Sequence, residues 1–208
     1  MRYSLSREPL LIVVSAPSGG GKSTILDRIL DRDPAIRYSV SATSRPPRPG
    51  ELNGVHYDFL TVEEFQKKVA AGEFLEHAVV HNHLYGTLES RVTELIEGGW
   101  DVIMDLDFQG GLNVKRKRPD SVLIFIIPPS LAVLEQRLMA RGQDSRETIA
   151  LRLRNAEREC DHAAEYDYIV LNDALDRTVE TIHHIIDAER YRTGRLRIQK
   201  DPEPAWEG

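Results

Sequence analysis

Residues 10–24 read Leu10-Leu11-Ile12-Val13-Val14-Ser15-Ala16-Pro17-Ser18-Gly19-Gly20-Gly21-Lys22-Ser23-Thr24. An unbroken apolar run of this length is the pattern of a strand buried on both faces. A glycine-rich turn follows it, and residues 23–30 then carry apolar side chains at helical spacing. Strand, glycine-rich loop, Lys-Ser and helix, in that order, are the setting of a phosphate-binding P-loop. The glycines let successive backbone N–H groups converge on phosphate oxygens, and the helix N-terminus adds partial positive charge. In such a loop Lys22 reaches the β- and γ-phosphates, and the Ser23 hydroxyl can ligate Mg²⁺. Ala16 stands where the general pattern begins with glycine.

Outward from this loop, apolar runs recur at residues 102–104, 122–127 and 168–171. Helix-like stretches lie between them, at 88–97, 112–117, 130–140 and from 147 to about 164. Buried strands alternating with helices predict an α/β fold, a parallel sheet with helices on both faces. Residues 38–85 break the rhythm with short mixed-polarity strands at 38–42, 56–60 and 74–80 and one helix over 63–71. Thr61 and Glu64 form a capping-box signature at its start, and Gly72 marks its stop. This stretch is expected to be a small lobe inserted in the core. Residues 199–208, with two prolines and no periodicity, are expected to fray.

A second part of a nucleotide site needs a carboxylate at the end of another buried strand. Val102-Ile103-Met104-Asp105-Leu106-Asp107 supplies two on one strand face. The carboxyl ends of strands line the ligand crevice of an open α/β sheet, so either aspartate can hold Mg²⁺ through water. Asp107 can equally cap the helix that follows it.

Composition narrows the function class. With 208 residues and 41% hydrophobic content, the chain builds about one domain. A net charge of −6 argues against a general nucleic-acid binder, while local positive charge can still serve an anionic substrate. The single cysteine, Cys160, cannot form an internal disulfide, which fits a reducing compartment. No apolar run has bilayer length, and the first nine residues lack the features of a signal peptide. The expectation is a cytoplasmic protein that meets no membrane.

Within the inserted stretch, residues 41–57 place Arg45 and Arg48 three apart between prolines, a stiffened fork for a phosphate. This segment, the P-loop, Phe74-Leu75-Glu76, Tyr85-Gly86-Thr87, residues 105–110, Pro128-Pro129-Ser130, residues 137–142 and Asn172-Asp173 together closely resemble the guanylate kinase family. The resemblance is collinear from about residue 10 to about residue 191.

It implies a three-part fold: a core of about 9–37, 88–136 and 160–192, a GMP-binding lobe of about 38–87 and a helical lid of about 137–159, with a flexible tail over 195–208. It implies transfer of the γ-phosphoryl group of ATP to GMP, assisted by Mg²⁺. ATP would lie on Ala16, Pro17, Ser18, Gly19, Gly20, Gly21, Lys22, Ser23 and Thr24, with Asn172 at adenine. GMP would be surrounded by Ser41, Arg45, Arg48, Glu51, Tyr57, Glu76, Tyr85, Gly86, Thr87, Asp105 and Asp107. Lys22, Arg45, Arg137, Arg141 and Arg152 would act on the transferring phosphoryl group, and Ser23 and, through water, Asp105 would hold the metal. Ala42 stands where some relatives carry a second serine.

The chemistry of Glu76 fits this assignment. Guanine offers N1–H and N2–H₂ as adjacent donors, which one carboxylate accepts with both oxygens, whereas adenine offers a lone pair at N1. Strand alternation puts Glu76 on the face of Phe74, Ala78 and Val80. A non-catalytic interaction module of the same fold would lack the phosphate loop that residues 19–23 retain. A kinase of another acceptor would lack several of Arg45, Arg48, Tyr57, Glu76 and Tyr85.

Other features are read as structural. His77, His81 and His83 have no accompanying cysteine and are not taken as a metal site. Residues 115–118, four consecutive cations, are expected at a helix C-terminus, where they offset the dipole. His183 and His184 are expected on the surface of a terminal helix, and Cys160 as an inert small residue. Oligomeric state is not legible.

Overall fold

A computed structural model describes residues 2–80, 82–140, 142 and 144–201. Three sheets form among these residues. The largest contains β2 (Leu11–Ser15), β3 (Ile36–Tyr38), β8 (Asp101–Asp105), β9 (Val122–Ile127) and β10 (Tyr168–Leu171), in the order β10-β9-β2-β8-β3. Every pairing in it is parallel. Side chains alternate across β2, so Leu10, Ile12 and Val14 meet α1 (Lys22–Arg32) and α7 (Leu175–Arg190), while Leu11 and Val13 face α4 (Phe108–Lys117). This double burial is why the sequence reads as an unbroken apolar run.

The second sheet holds β4 (Ala42–Thr43), β5 (Asp58–Phe59), β6 (Phe74–Val80) and β7 (His83–Leu88), in the order β5-β4-β7-β6. Its small apolar cluster is Ala42, Phe65, Phe74 and Leu88. Phe65 comes from α2 (Val62–Ala70) and stacks on Phe74 with ring centroids 4.3 Å apart. The capping box of Thr61 and Glu64 is formed in full, and Gly72 takes the positive φ of a helix stop.

Three expectations about the strands and the chain end are corrected. The run at 38–42 is not one strand: β3 belongs to the core sheet and β4 to the second sheet, and the chain crosses between them over residues 39–41. Strict alternation along β6 fails because a bulge lies between Phe74 and Glu76. Phe74, Leu75 and Glu76 are therefore all buried, with Phe74 in the small cluster and Leu75 in the core. The chain end is ordered beyond residue 195: β11 (Leu196–Asp201) pairs antiparallel with β1 (Arg2–Arg7), so fraying does not start at 195 or 199. Residues 202–208 of the expected tail lie outside the described residues.

The remaining helices are α3 (Glu89–Glu97), α5 (Leu131–Ala140) and α6 (Arg146–Asp161). The last two pack on each other through Leu134, Leu138, Ile149 and Ala156. The ribbon of β1 and β11 is tied to the core by Asp101, fully buried at the start of β8. Its carboxylate accepts from Arg7 at 2.5 and 2.9 Å, from the Leu10 amide at 2.8 Å and from Arg190 at 2.8 Å. A carboxylate this deeply buried persists because each lone pair is used. His183 is also buried, contrary to expectation, while His184 is exposed.

Candidate active site

The carboxyl ends of β2, β3, β8 and β10 converge on one edge of the core sheet, where ligands bind in open α/β folds. β2 runs into the P-loop. Gly19 and Gly21 hold φ of 87° and 89°, the left-handed region that glycine enters without strain, and Gly21 caps α1. The first turn of α1 contains no acidic residue, so nothing of its own offsets the positive helix end. Ser23 and Thr24 sit exposed in that turn. Lys22 Nζ donates to the Leu106 carbonyl at 3.1 Å and lies 3.5 Å from Asp105 Oδ2.

Side chains from distant elements fasten the loop. Asn172, 5% exposed at the end of β10, donates from Nδ2 to the Gly20 carbonyl at 2.7 Å. Its Oδ1 accepts from Thr178 at 3.2 Å. The amide expected to contact adenine is thus engaged with the protein at both ends and braces the loop. Tyr166 donates to Ser15 Oγ at 2.8 Å, a fastening that no sequence motif signalled. Arg137 on α5 donates from one terminal nitrogen to the Asn172 carbonyl at 2.9 Å. Its other terminal nitrogen is buried without a hydrogen-bond partner among the described residues. A buried guanidinium nitrogen left unpaired beside a phosphate cradle is suited to an anionic oxygen. Arg152 on α6 approaches Ser18 Oγ at 3.5 Å and pairs with Asp144 at 3.2 Å. Arg141 lies outside the described residues, as does His81.

The second sheet brings its own cluster. Arg45 makes a bidentate pair with Glu51 at 2.9 and 2.8 Å, and the Arg48 amide donates to Glu51 at 2.7 Å. The Arg45 guanidinium holds the Glu51 carboxyl down at about 2, and Glu51 in turn raises Arg45. The guanidinium carbon stands 5.4 Å from the Tyr57 ring centroid, and Tyr57 meets Tyr85 edge-on at 6.0 Å. Arg48 is exposed and Ser41 half-buried. Together these residues form an electropositive, aromatic-walled corner.

Glu76 lies further in, 7% exposed. Thr87 donates to its Oε1 at 2.9 Å. A Cβ on Gly110, in the first turn of α4, would come within 3.2 Å of its Oε2. Burial raises its pKa, with the Thr87 hydrogen bond opposing and the Asp107 charge assisting. Gly86 is obligatory beside it, since a Cβ there would meet the Glu76 carbonyl oxygen at 2.7 Å. Asp107 caps α4, accepting from the Gly110 amide at 2.7 Å. Asp105 accepts a hydrogen bond from Tyr38, which had not been singled out.

Ser23 and Asp105 line one cavity of about 320 Å³ together with Asp27, Tyr38 and Tyr57. These are hard oxygen donors, and Mg²⁺ takes one or two carboxylates, waters and substrate phosphates rather than a full protein cage. No cluster of three or more His, Cys, Asp or Glu able to hold a metal occurs among the described residues. The donor set fits Mg²⁺ arriving with a nucleotide. Among the described residues no helix is long and apolar enough to cross a membrane. Of the basic run, Lys115 pairs with Asp167, Lys117 donates to the Phe74 carbonyl and Arg118 pairs with Asp120, at or just past the end of α4. Cys160 is half-buried, and burial pushes its thiol up.

Residues 8–189 match the family model described as guanylate kinase. A guanylate kinase of Paramagnetospirillum magneticum is 47% identical over 193 residues, 92% of this chain and 90% of that protein. One of Cereibacter sphaeroides is 46% identical over 193 residues, 92% of each chain. The crystal structure of guanylate kinase from Anaplasma phagocytophilum is 31% identical and superposes with a TM-score of 0.75, covering 93% of this chain and 92% of that one.

Proposed function

The chain belongs to the guanylate kinase family and phosphorylates GMP with ATP, and we propose that the two clusters described above divide that work between them. Residues 16–24 cradle the phosphates of ATP, and Arg45, Arg48, Tyr57 and Tyr85 take the phosphate of GMP. Ser41, Glu76, Gly86 and Thr87 surround guanine, and Glu51 backs Arg45. The observation that carries this reading is Glu76, a buried carboxylate whose hydrogen-bond partner among the described residues is Thr87. Buried carboxylates need partners, and guanine N1–H and N2–H₂ supply two in the right orientation.

A phosphate oxygen of GMP attacks the γ-phosphorus of ATP, the bond to the β-phosphate oxygen breaks, and ADP leaves. The attacking oxygen is already anionic at neutral pH, so no general base is required. Catalysis is positioning together with neutralisation of charge on the transferring group. Lys22, Arg137, Arg141 and Arg152 spread that charge, and the unpaired nitrogen of Arg137 is available for it. Ser23 and, through water, Asp105 would hold Mg²⁺, which neutralises phosphate charge when bound. Asn172 acts first on the loop and only at its margin on adenine. Asp107 keeps its capping role, with its charge close to guanine.

In this reading residues 38–87 are the acceptor lobe, 137–159 the lid, and both close over the core to exclude water. ATP and GMP are the partners, nucleic acid and membrane are not, and the cytoplasm is the working compartment. The test is coupled ADP release with ATP and Mg²⁺, offering GMP, AMP, CMP and UMP in turn. Release with GMP alone is expected. Equal release with AMP, or none with any of the four, would overturn the assignment of the acceptor.

A further inference from the structure

Tyr38 is the last residue of β3 and pairs in register with Ile103 of β8. Its ring is half-buried against the apolar cluster shared with α1. The hydroxyl reaches the last residue of β8 and donates to Asp105 Oδ1. The other oxygen, Oδ2, lies 3.5 Å from Lys22 Nζ. Both residues line the 320 Å³ cavity that contains Ser23. A tyrosine hydroxyl keeps its proton at neutral pH, so it donates to the carboxylate.

The terminal torsion of aspartate is broad, and nothing in its own rotamer preference fixes the orientation of the carboxylate plane toward the phosphate loop. We propose that Tyr38 is a positioning residue for phosphoryl transfer, its hydroxyl pinning one oxygen of Asp105 so that the other faces Lys22 and the Ser23 cavity. Without it the carboxylate plane turns freely, and neither oxygen is held toward Lys22 and the metal's water shell. The inference rests on the reading of Asp105 as a water-mediated Mg²⁺ residue.

The test is equilibrium titration of the intact chain with a non-hydrolysable ATP analogue, once with Mg²⁺ and once with EDTA. The readout is the factor by which Mg²⁺ strengthens binding, which general damage to packing would leave unchanged. Wild type, Tyr38→Phe, Asp105→Asn and the double variant are compared. Phenylalanine keeps the ring that packs against α1, so the fold is preserved. Loss of a hydrogen bond to a charged group predicts a drop of ~tenfold in that factor for Tyr38→Phe. The double variant is expected to match Asp105→Asn alone, because the hydroxyl acts only through the carboxylate. An unchanged factor in Tyr38→Phe with a reduced one in Asp105→Asn overturns the inference and leaves the metal reading standing. So does simple additivity in the double variant. An unchanged factor in Asp105→Asn overturns both the inference and the metal reading of that residue.

Discussion

The core sheet and the second sheet hold their halves of the site by different means. Around the P-loop the geometry is set by backbone: β2 is buried along its whole length and paired on both edges, and its loop is fastened by Asn172 and Tyr166. In the proposed acceptor lobe β4 and β5 have two residues each, the buried apolar cluster is four residues among those described, and polar side chains fix the proposed binding groups. Arg45 rests on Glu51, and Asp58 of β5 is held by Arg91 of α3 at 3.1 and 2.9 Å. A backbone-built cradle suits the phosphates of the ATP site proposed there. A side-chain-built pocket suits the base-reading role proposed for residues 38–87.

The lobe's dependence on so few contacts gives the largest expected effect. Phe65→Ala removes the ring stacked on Phe74 and should cost about 3–5 kcal/mol, the range for a buried phenylalanine. Hydrogen exchange should accelerate in β4, β6 and β7 while β2 and β9 keep their protection. Equal loss in both sheets would mean that they are one cooperative unit.

Lys22→Met tests the other half. It should lower kcat by ~10²–10³ with GMP binding and thermal unfolding little changed, if the lysine acts on transferring charge as proposed. Next in size is the pH dependence of GMP affinity. Burial raises the Glu76 pKa above its ordinary 4.5, and only the ionised carboxylate accepts both guanine donors. Affinity should therefore weaken as pH falls through that raised pKa, by about tenfold per pH unit below it. The ATP-site affinity should lack this limb.

The smallest effect belongs to the core. His183, facing Arg32, Asp33, Asp187 and Arg190, has its pKa lowered chiefly by burial. The unfolded chain then binds more protons than the folded one below about pH 6.5, so stability falls as pH drops from 6.5 toward the folded pKa. His183→Gln should flatten that slope in chemical denaturation.

How much of this was legible follows from the same contrast. Double burial writes continuous apolar runs, and the loop's glycines answer a backbone requirement, so the core and its phosphate cradle stood out in the sequence. The capping box of α2 was equally local. The bulge at Phe74–Glu76 was not, because two consecutive buried side chains on opposite clusters look like one in-and-out strand. The pairing of Leu5 with Ile198 joins chain ends through a ribbon with exposed apolar residues, a pattern no local periodicity marks. Tyr38 and Tyr166 reach the site from a short strand and a 3-10 turn's end, and a single aromatic residue in either place reads as core.

The account stands most directly on the base selectivity of Glu76→Gln, measured as kcat/KM for GMP against AMP. A glutamine keeps the volume but accepts only one of the two guanine donors. The prediction is a fall in the GMP-over-AMP ratio of ~10² or more, with ATP binding unaltered. A ratio unchanged in the variant would contradict the claim that the lobe reads guanine through this carboxylate.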